Sequence, residues 1–280
     1  MNAPLSCAAL SDAMPLAMNY LKEGIATSKH HLPTIVKLTL PYIGISALTA
    51  LLFATGIESL PGGLTPADMQ NPEVAREAAQ AVALPLFAFA LVVLPVGAYT
   101  LFTVMRFASQ EPLPEPATQT MSGLWRFGTG FFGYMLLSFV LGILAVVISL
   151  PAMLVSMVLA MLLFFLPVSF VTFLAGLPME FAAGLIGAFF AVTSMAFFKS
   201  PQDGMTPAIS RGRSVMTANI PLWAMLSVIG GIGALLQAGF NGALASPSSP
   251  FPVFGMALSP VVSLAVSIPL LFTFRAAAKR

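Results

Sequence analysis

The sequence has very little charge. Only 8% of its 280 residues are ionised at neutral pH, against about a quarter in soluble domains. So few polar side chains cannot cover a water-facing surface. The single cysteine, Cys7, excludes a disulfide framework and a cysteine metal site within one chain. Leu5-Ser6-Cys7 has the outline of a lipoprotein processing site. The residues before it do not supply the basic and apolar segments such a site follows, so lipidation is not expected. A net charge of +2 leaves no basic footprint for nucleic acid. The two histidines are adjacent, His30 and His31, and neighbours do not share a helix face. No metal site is expected from them. A nucleophile elbow, a nucleotide loop, a zinc helix and a paired carboxylate are all missing. The expectation is a protein that is not an enzyme and carries no cofactor.

What is there is apolar. Hydrophobic residues make up 58% of the chain. Between 127 and 198 the one ionisable side chain is Glu180. That run far exceeds the roughly 20 residues a helix needs to cross a bilayer, and it holds two or three spans. Shorter apolar stretches lie at 33–56, 81–105, 221–244 and 254–274. Two segments are amphipathic instead. In 11–31, Met14, Met18, Leu21 and Ile25 recur at helical spacing. In 206–219, Ile209 and Met216 share a face extended by Met205 and Gly212, and Arg211 and Arg213 point away from it. Both segments are too polar to span and should lie in the interface. Each is followed by a proline, Pro33 or Pro221, and then a span, which reads as an internal duplication. The expected fold is all-α, a polytopic transmembrane helical bundle of about six spans with two interfacial helices. Residues 1–32 form a tail and interfacial helix, and 33–280 the transmembrane domain.

Charge decides between two and three spans in the long run. With two, Lys22, Lys29, Lys37, Arg106, Arg126, Lys199, Arg211, Arg213, Arg275, Lys279 and Arg280 share one side. The 57–79 loop, with Glu58, Asp68, Glu73 and Glu77 against Arg76, lies on the other. That asymmetry is what the positive-inside rule expects, and it puts both termini in the cytoplasm. The excess apolar length calls for tilted helices or a proline-broken piece around 166–178. The loop at 110–120, with Pro112, Pro114 and Pro116, reads as an extended connector.

The polar candidates are few. Glu180 is an intramembrane carboxylate, hence a functional hypothesis by default; the plainer reading is a helix start after Pro178, where a carboxylate suits the dipole. Gln237 and Asn241 stand four apart on one helix and can bond across to a neighbour. Trp125 and Arg126 mark an interface, aromatic and cation together. With Arg211 and Arg213 they are the candidates for headgroup contact or partner docking. Gly184 with Ala188, Gly230 with Ala234, and Ala238 with Gly242 permit close helix contacts.

The segment from Pro207 to Asn219, followed by Trp223 and a span, resembles a pattern in bacterial membrane proteins. These are the membrane domain that accompanies some glycerophosphoryl diester phosphodiesterases, and its stand-alone relatives. Their A-I-x-x-S/G-x6-N helix corresponds here to Ala208, Ile209, Gly212 and Asn219, with glycine in place of the usual serine. No phosphodiesterase sequence is present, so the resemblance implies no catalysis. It implies a bacterial inner-membrane protein of about six helices. The expected role is a scaffold or accessory subunit of an envelope complex, in contact with lipids and a protein partner; a small transporter or lipid-handling protein is the alternative.

The topology is testable by single-cysteine labelling in a Cys7→Ser background. A cysteine at Ser200 should be protected from an impermeant reagent in intact cells, and cysteines at Gly63 and Ser248 should be labelled. Labelling at Ser200 with protection at Ser248 would mean seven spans.

Overall fold

A computed structural model describes residues 7–58, 73, 76, 83, 87, 89–109, 121–165, 168–244 and 252–279. Among these residues there are eight α-helices and no strand. They are α1 (Cys7–His30), α2 (Leu32–Glu58), α3 (Leu94–Ser109), α4 (Met121–Leu162), α5 (Val168–Lys199), α6 (Met205–Ala218), α7 (Ile220–Leu244) and α8 (Pro252–Ala278). A π-helical turn, Phe89–Val93, leads into α3, and a 3-10 turn, Pro201–Asp203, joins α5 to α6. Six stretches are long and apolar enough to cross a membrane: Leu32–Thr49, Leu91–Ser109, Gly128–Leu162, Leu174–Lys199, Ile220–Phe240 and Leu258–Ala278. The protein is therefore a multi-pass helical membrane protein. The run 127–198 holds two spans, α4 and α5. Of the two ways expected to absorb the excess apolar length, the chain takes long helices, and α5 runs from Val168 through Pro178 to Lys199 without a break at the proline. A membrane helix tolerates such a proline because neighbours satisfy the freed carbonyl. The acidic part of the 57–79 loop, apart from Glu58, Glu73 and Arg76, and the connectors at 110–120 and 245–250 lie outside the described residues.

The chain divides into two compact units. One comprises Pro33–Thr103 and Ala238–Ala265. Within it, Tyr42 of α2 packs over Gly97 of α3, 3.1 Å from where a methyl group would stand. The π turn sits just before Pro95, which has no N–H to offer the Leu91 carbonyl. Widening the turn accommodates that missing donor.

The other unit comprises Met1–Leu32, Val104–Gln237 and Val266–Arg280. Here α4 and α5 form an antiparallel hairpin. Tyr134 of α4 is fully buried against Phe190, Phe197 and Phe198 of α5, with centroids 6.4, 6.4 and 5.1 Å away. Its hydroxyl faces those of Ser138 and Ser194. The tightest contact is between α5 and α7. A Cβ on Gly184 would collide with the Ser227 carbonyl, and one on Gly231 would lie 2.7 Å from the Glu180 carbonyl oxygen. Gly230 closes on Gly184 from the same helix, and Gly233 receives Leu270 and Val266 of α8. Small residues let these backbones meet, as the spacing of Gly184, Ala188 and Gly230 predicts.

The two amphipathic segments are helical, and in both the most buried positions are small residues beside the large apolar ones. α1 buries Ala13, Ala17, Tyr20, Gly24 and Ser28 and leaves Met14, Met18 and Ile25 exposed. α6 buries Ala208 and Gly212, with Ile209 and Met216 only half-buried beside them. Small residues allow backbone contact, so they take the protein side and the large apolar ones are left for lipid.

The duplication is closer than the prolines alone suggest. Gly24 and Gly212 stand nine residues before Pro33 and Pro221. Turns at His31 and Asn219 separate the paired helices, and α2 and α7 begin at the next residue. Gly24 docks on Thr273 of α8, and Gly212 docks on Thr193 of α5. Each threonine precedes a lysine by six residues, Lys279 and Lys199. α3 shares the pattern: Gly97-Ala98, Thr103, Met105 and Phe107 match Gly187-Ala188, Thr193, Met195 and Phe197. Ser109 takes the lysine's place there.

Gly184→Ala should lower the stability of the purified protein by about 1–3 kcal/mol through overpacking. Gly187→Ala, three residues on with open space at its Cβ position, should leave stability unchanged or raise it by up to about 1 kcal/mol. Thermal unfolding in detergent distinguishes the two.

Candidate functional site

The repeated helix ends meet in one place. α3, α5 and α8 each bring the residue six past the shared threonine to the rim of a single cavity: Ser109, Lys199 and Lys279. α6 adds Arg211 and Ser214, and α8 adds Arg275. Val192, Met195, Ala196, Val215 and Ala278 complete the wall. The cavity encloses about 270 Å³. Among the described residues, four cations and two serines line it, and no carboxylate does.

The cations have different settings. Lys199 and Lys279 are exposed at the rim. Arg275 is 7% exposed, with its guanidinium carbon 5.9 Å from the centre of the Phe272 ring. Phe272 in turn stacks on His31 at 6.1 Å and meets Phe107 edge-on at 6.3 Å. His31 closes this cluster against Phe107 at 5.3 Å. Arg211 Nη2 donates to Asp203 Oδ2 at 2.8 Å. Both side chains are well exposed, and such pairs contribute at most about 1 kcal/mol. Asp203 offsets part of the Arg211 charge at the rim, while Lys199, Arg275 and Lys279 add to the positive field. Lys199 and Arg275 also stand in the last turns of α5 and α8, where cations offset the carbonyl ends. Helix ends collect the cations, and the space between them gives an anion a place to sit. The chemistry on offer is electrostatic and hydrogen-bonded capture of a phosphate or carboxylate group.

The α6–α7 corner holds Arg211 in place. Gly212 lies against Thr193, which seats α6 on α5. Asn219 forms the joint: its Oδ1 accepts the Leu222 N–H at 3.3 Å and its carbonyl accepts the Trp223 N–H at 3.2 Å. The Trp223 indole Nε1–H reaches back to the Val215 carbonyl at 3.1 Å. The residues of the A-I-x-x-G-x6-N pattern thus include the close contact and the joint of a single clamp.

The other sequence candidates are dispersed. Arg211 is exposed, off the Ile209–Gly212–Met216 face as expected, and it lies on the cavity wall. Arg213 is exposed. Trp125 and Arg126 fall in the first two turns of α4, and their side chains lie outside the described residues. Glu180 does not start a helix; it lies well inside α5 with its backbone against Gly231. The antiparallel register that sets Glu180 beside Gly231 carries Gln237 about 9 Å further along α7, so these two do not form one site. The Asn241 side chain lies outside the described residues. His31 is part of an aromatic cluster, and among the described residues no three His, Cys, Asp or Glu side chains gather as metal ligands.

The sequence reading missed Ser109, Lys199, Arg275 and Lys279 as site residues. Each looks like an ordinary boundary residue after a span. The signal that could have found them is the Thr-x5-Lys spacing repeated at 193–199 and 273–279. The chain matches no protein-family model, no curated protein and no solved structure.

Proposed function

We propose that this is a non-enzymatic, lipid-handling protein of the bacterial inner membrane that holds the phosphate of an anionic lipid headgroup in the basic cavity. The observation that carries the reading is the cavity's lining, among the described residues, of four cations without a carboxylate. Basic pockets between membrane helices are suited to acidic headgroups. The apolar wall suits the first carbons of the lipid below its phosphate. Positive charge gathers at this end of the unit, so the positive-inside rule assigns it, with both chain termini, to the cytoplasm. The accessory-subunit reading has its own support. Thr206, Ser210, Arg213 and Thr217 form an exposed polar stripe on α6, a face open to a partner. A stoichiometric co-purifying protein lost on Arg213→Glu would favour that second reading.

The headgroup site is tested by titrating purified protein with short-chain phosphatidylglycerol, read by native mass spectrometry. Each exposed lysine near an anionic headgroup contributes about 1 kcal/mol. Lys199→Gln with Lys279→Gln should thus weaken binding by about 2 kcal/mol, roughly thirtyfold. Arg213→Gln, on the same basic end but outside the cavity, should leave affinity within about twofold. Equal losses from both would mean diffuse charge attraction and no built site.

A further inference from the structure

The α4–α5 hairpin is longer than a bilayer requires. Its apolar stretches run to 35 and 26 residues. At the helical rise the longer reaches roughly 52 Å, against a hydrocarbon core of about 30 Å. The register locates the excess. Tyr134 faces Ser194. Seventeen residues on along α4 stands Pro151, and seventeen back along α5 stands Leu177, next to Pro178. The two prolines therefore lie at one level across the hairpin. Glu180 lies beside them, and it is about 28 Å along α5 from Lys199. The basic end and this level are separated by one bilayer thickness.

Everything beyond that level is apolar. No ionisable residue occurs in 151–177. From Pro151 to Phe165 no residue is buried, and Phe164 and Phe165 are 80% and 70% exposed. Water is excluded as the surroundings of such a surface. A protein neighbour within a membrane is met through small residues, whereas the exposed positions here are Met153, Leu154, Met157, Val158, Met161 and Leu162. Ala152, Ser156 and Ala160 form one half-buried small-residue stripe, and the large flexible side chains on the remaining faces suit acyl chains. Proline removes a backbone bond and permits a kink, and two at one level let both helices bend together. The geometry points to a paired-proline hinge at Pro151 and Pro178, over which residues 151–165 and 168–177 fold into the far leaflet of the same bilayer with lipid acyl chains covering them. The inference is independent of the headgroup cavity.

The test is spin labelling of the full chain in a Cys7→Ser background, in vesicles of dioleoyl phosphatidylcholine and phosphatidylglycerol. Leu162→Cys changes an exposed side chain, so folding is retained. Its label should collide freely with oxygen and little with a water-soluble nickel chelate. Paired with a label at Phe139→Cys, it should give a distance well below the roughly 35 Å of a straight helix. Nickel access would place the tip in water and overturn the inference. Protection from both reagents would mean a protein cover, which also overturns it. A straight-helix distance would remove the hinge.

Discussion

Close approach of helix backbones is the constraint on which the rest depends. In lipid the hydrophobic effect gives helices no reason to associate, so contact rests on short-range packing. Gly184 against Ser227 and Gly231 sets the crossing of α5 and α7. Gly212 on Thr193 and Gly24 on Thr273 seat the two amphipathic helices. A side chain at any of these positions would push apart elements whose ends form the cavity.

The cavity follows from that packing and from the duplication together. Three helices share a threonine near their ends and a polar residue six positions on. Once packed, they bring Ser109, Lys199 and Lys279 to one rim. No single helix carries a site. Repetition of a helix end turns three ordinary boundary residues into a rim of two cations and a hydroxyl. The seated α6 then contributes Arg211 from the side, and the buried Arg275 is held among Phe272 and its aromatic neighbours. Charge, in this molecule, is scarce enough that its gathering in one place defines the chemistry available.

The fold class was legible because lipid imposes a simple rule: backbone groups must be satisfied internally, so long apolar runs are helices. The even number of crossings in 127–198 was legible from charge, since Lys199 had to share an end with Arg106 and Arg275. The packing faces were not. In α1 the apolar stripe of Met14, Met18 and Ile25 dominates the helical wheel, yet Ala17 and Gly24 make the contact. Hydrophobicity marks a surface that leaves water, and in a membrane protein that surface meets lipid as readily as protein. Glu180 misled for a related reason. Pro178 looks like a helix start, but a helix carried by tertiary contacts runs through it.

The sequence by itself determined the spans, their number and the end at which positive charge accumulates, because these depend on local apolarity and on ledger-like sums along the chain. Only the tertiary structure decided which small residues touch, that Arg211 turns toward Lys199 and Arg275, and that Glu180 and Gln237 stand apart. Those outcomes depend on the register between helices distant in sequence, set by a few glycines whose partners no local pattern names.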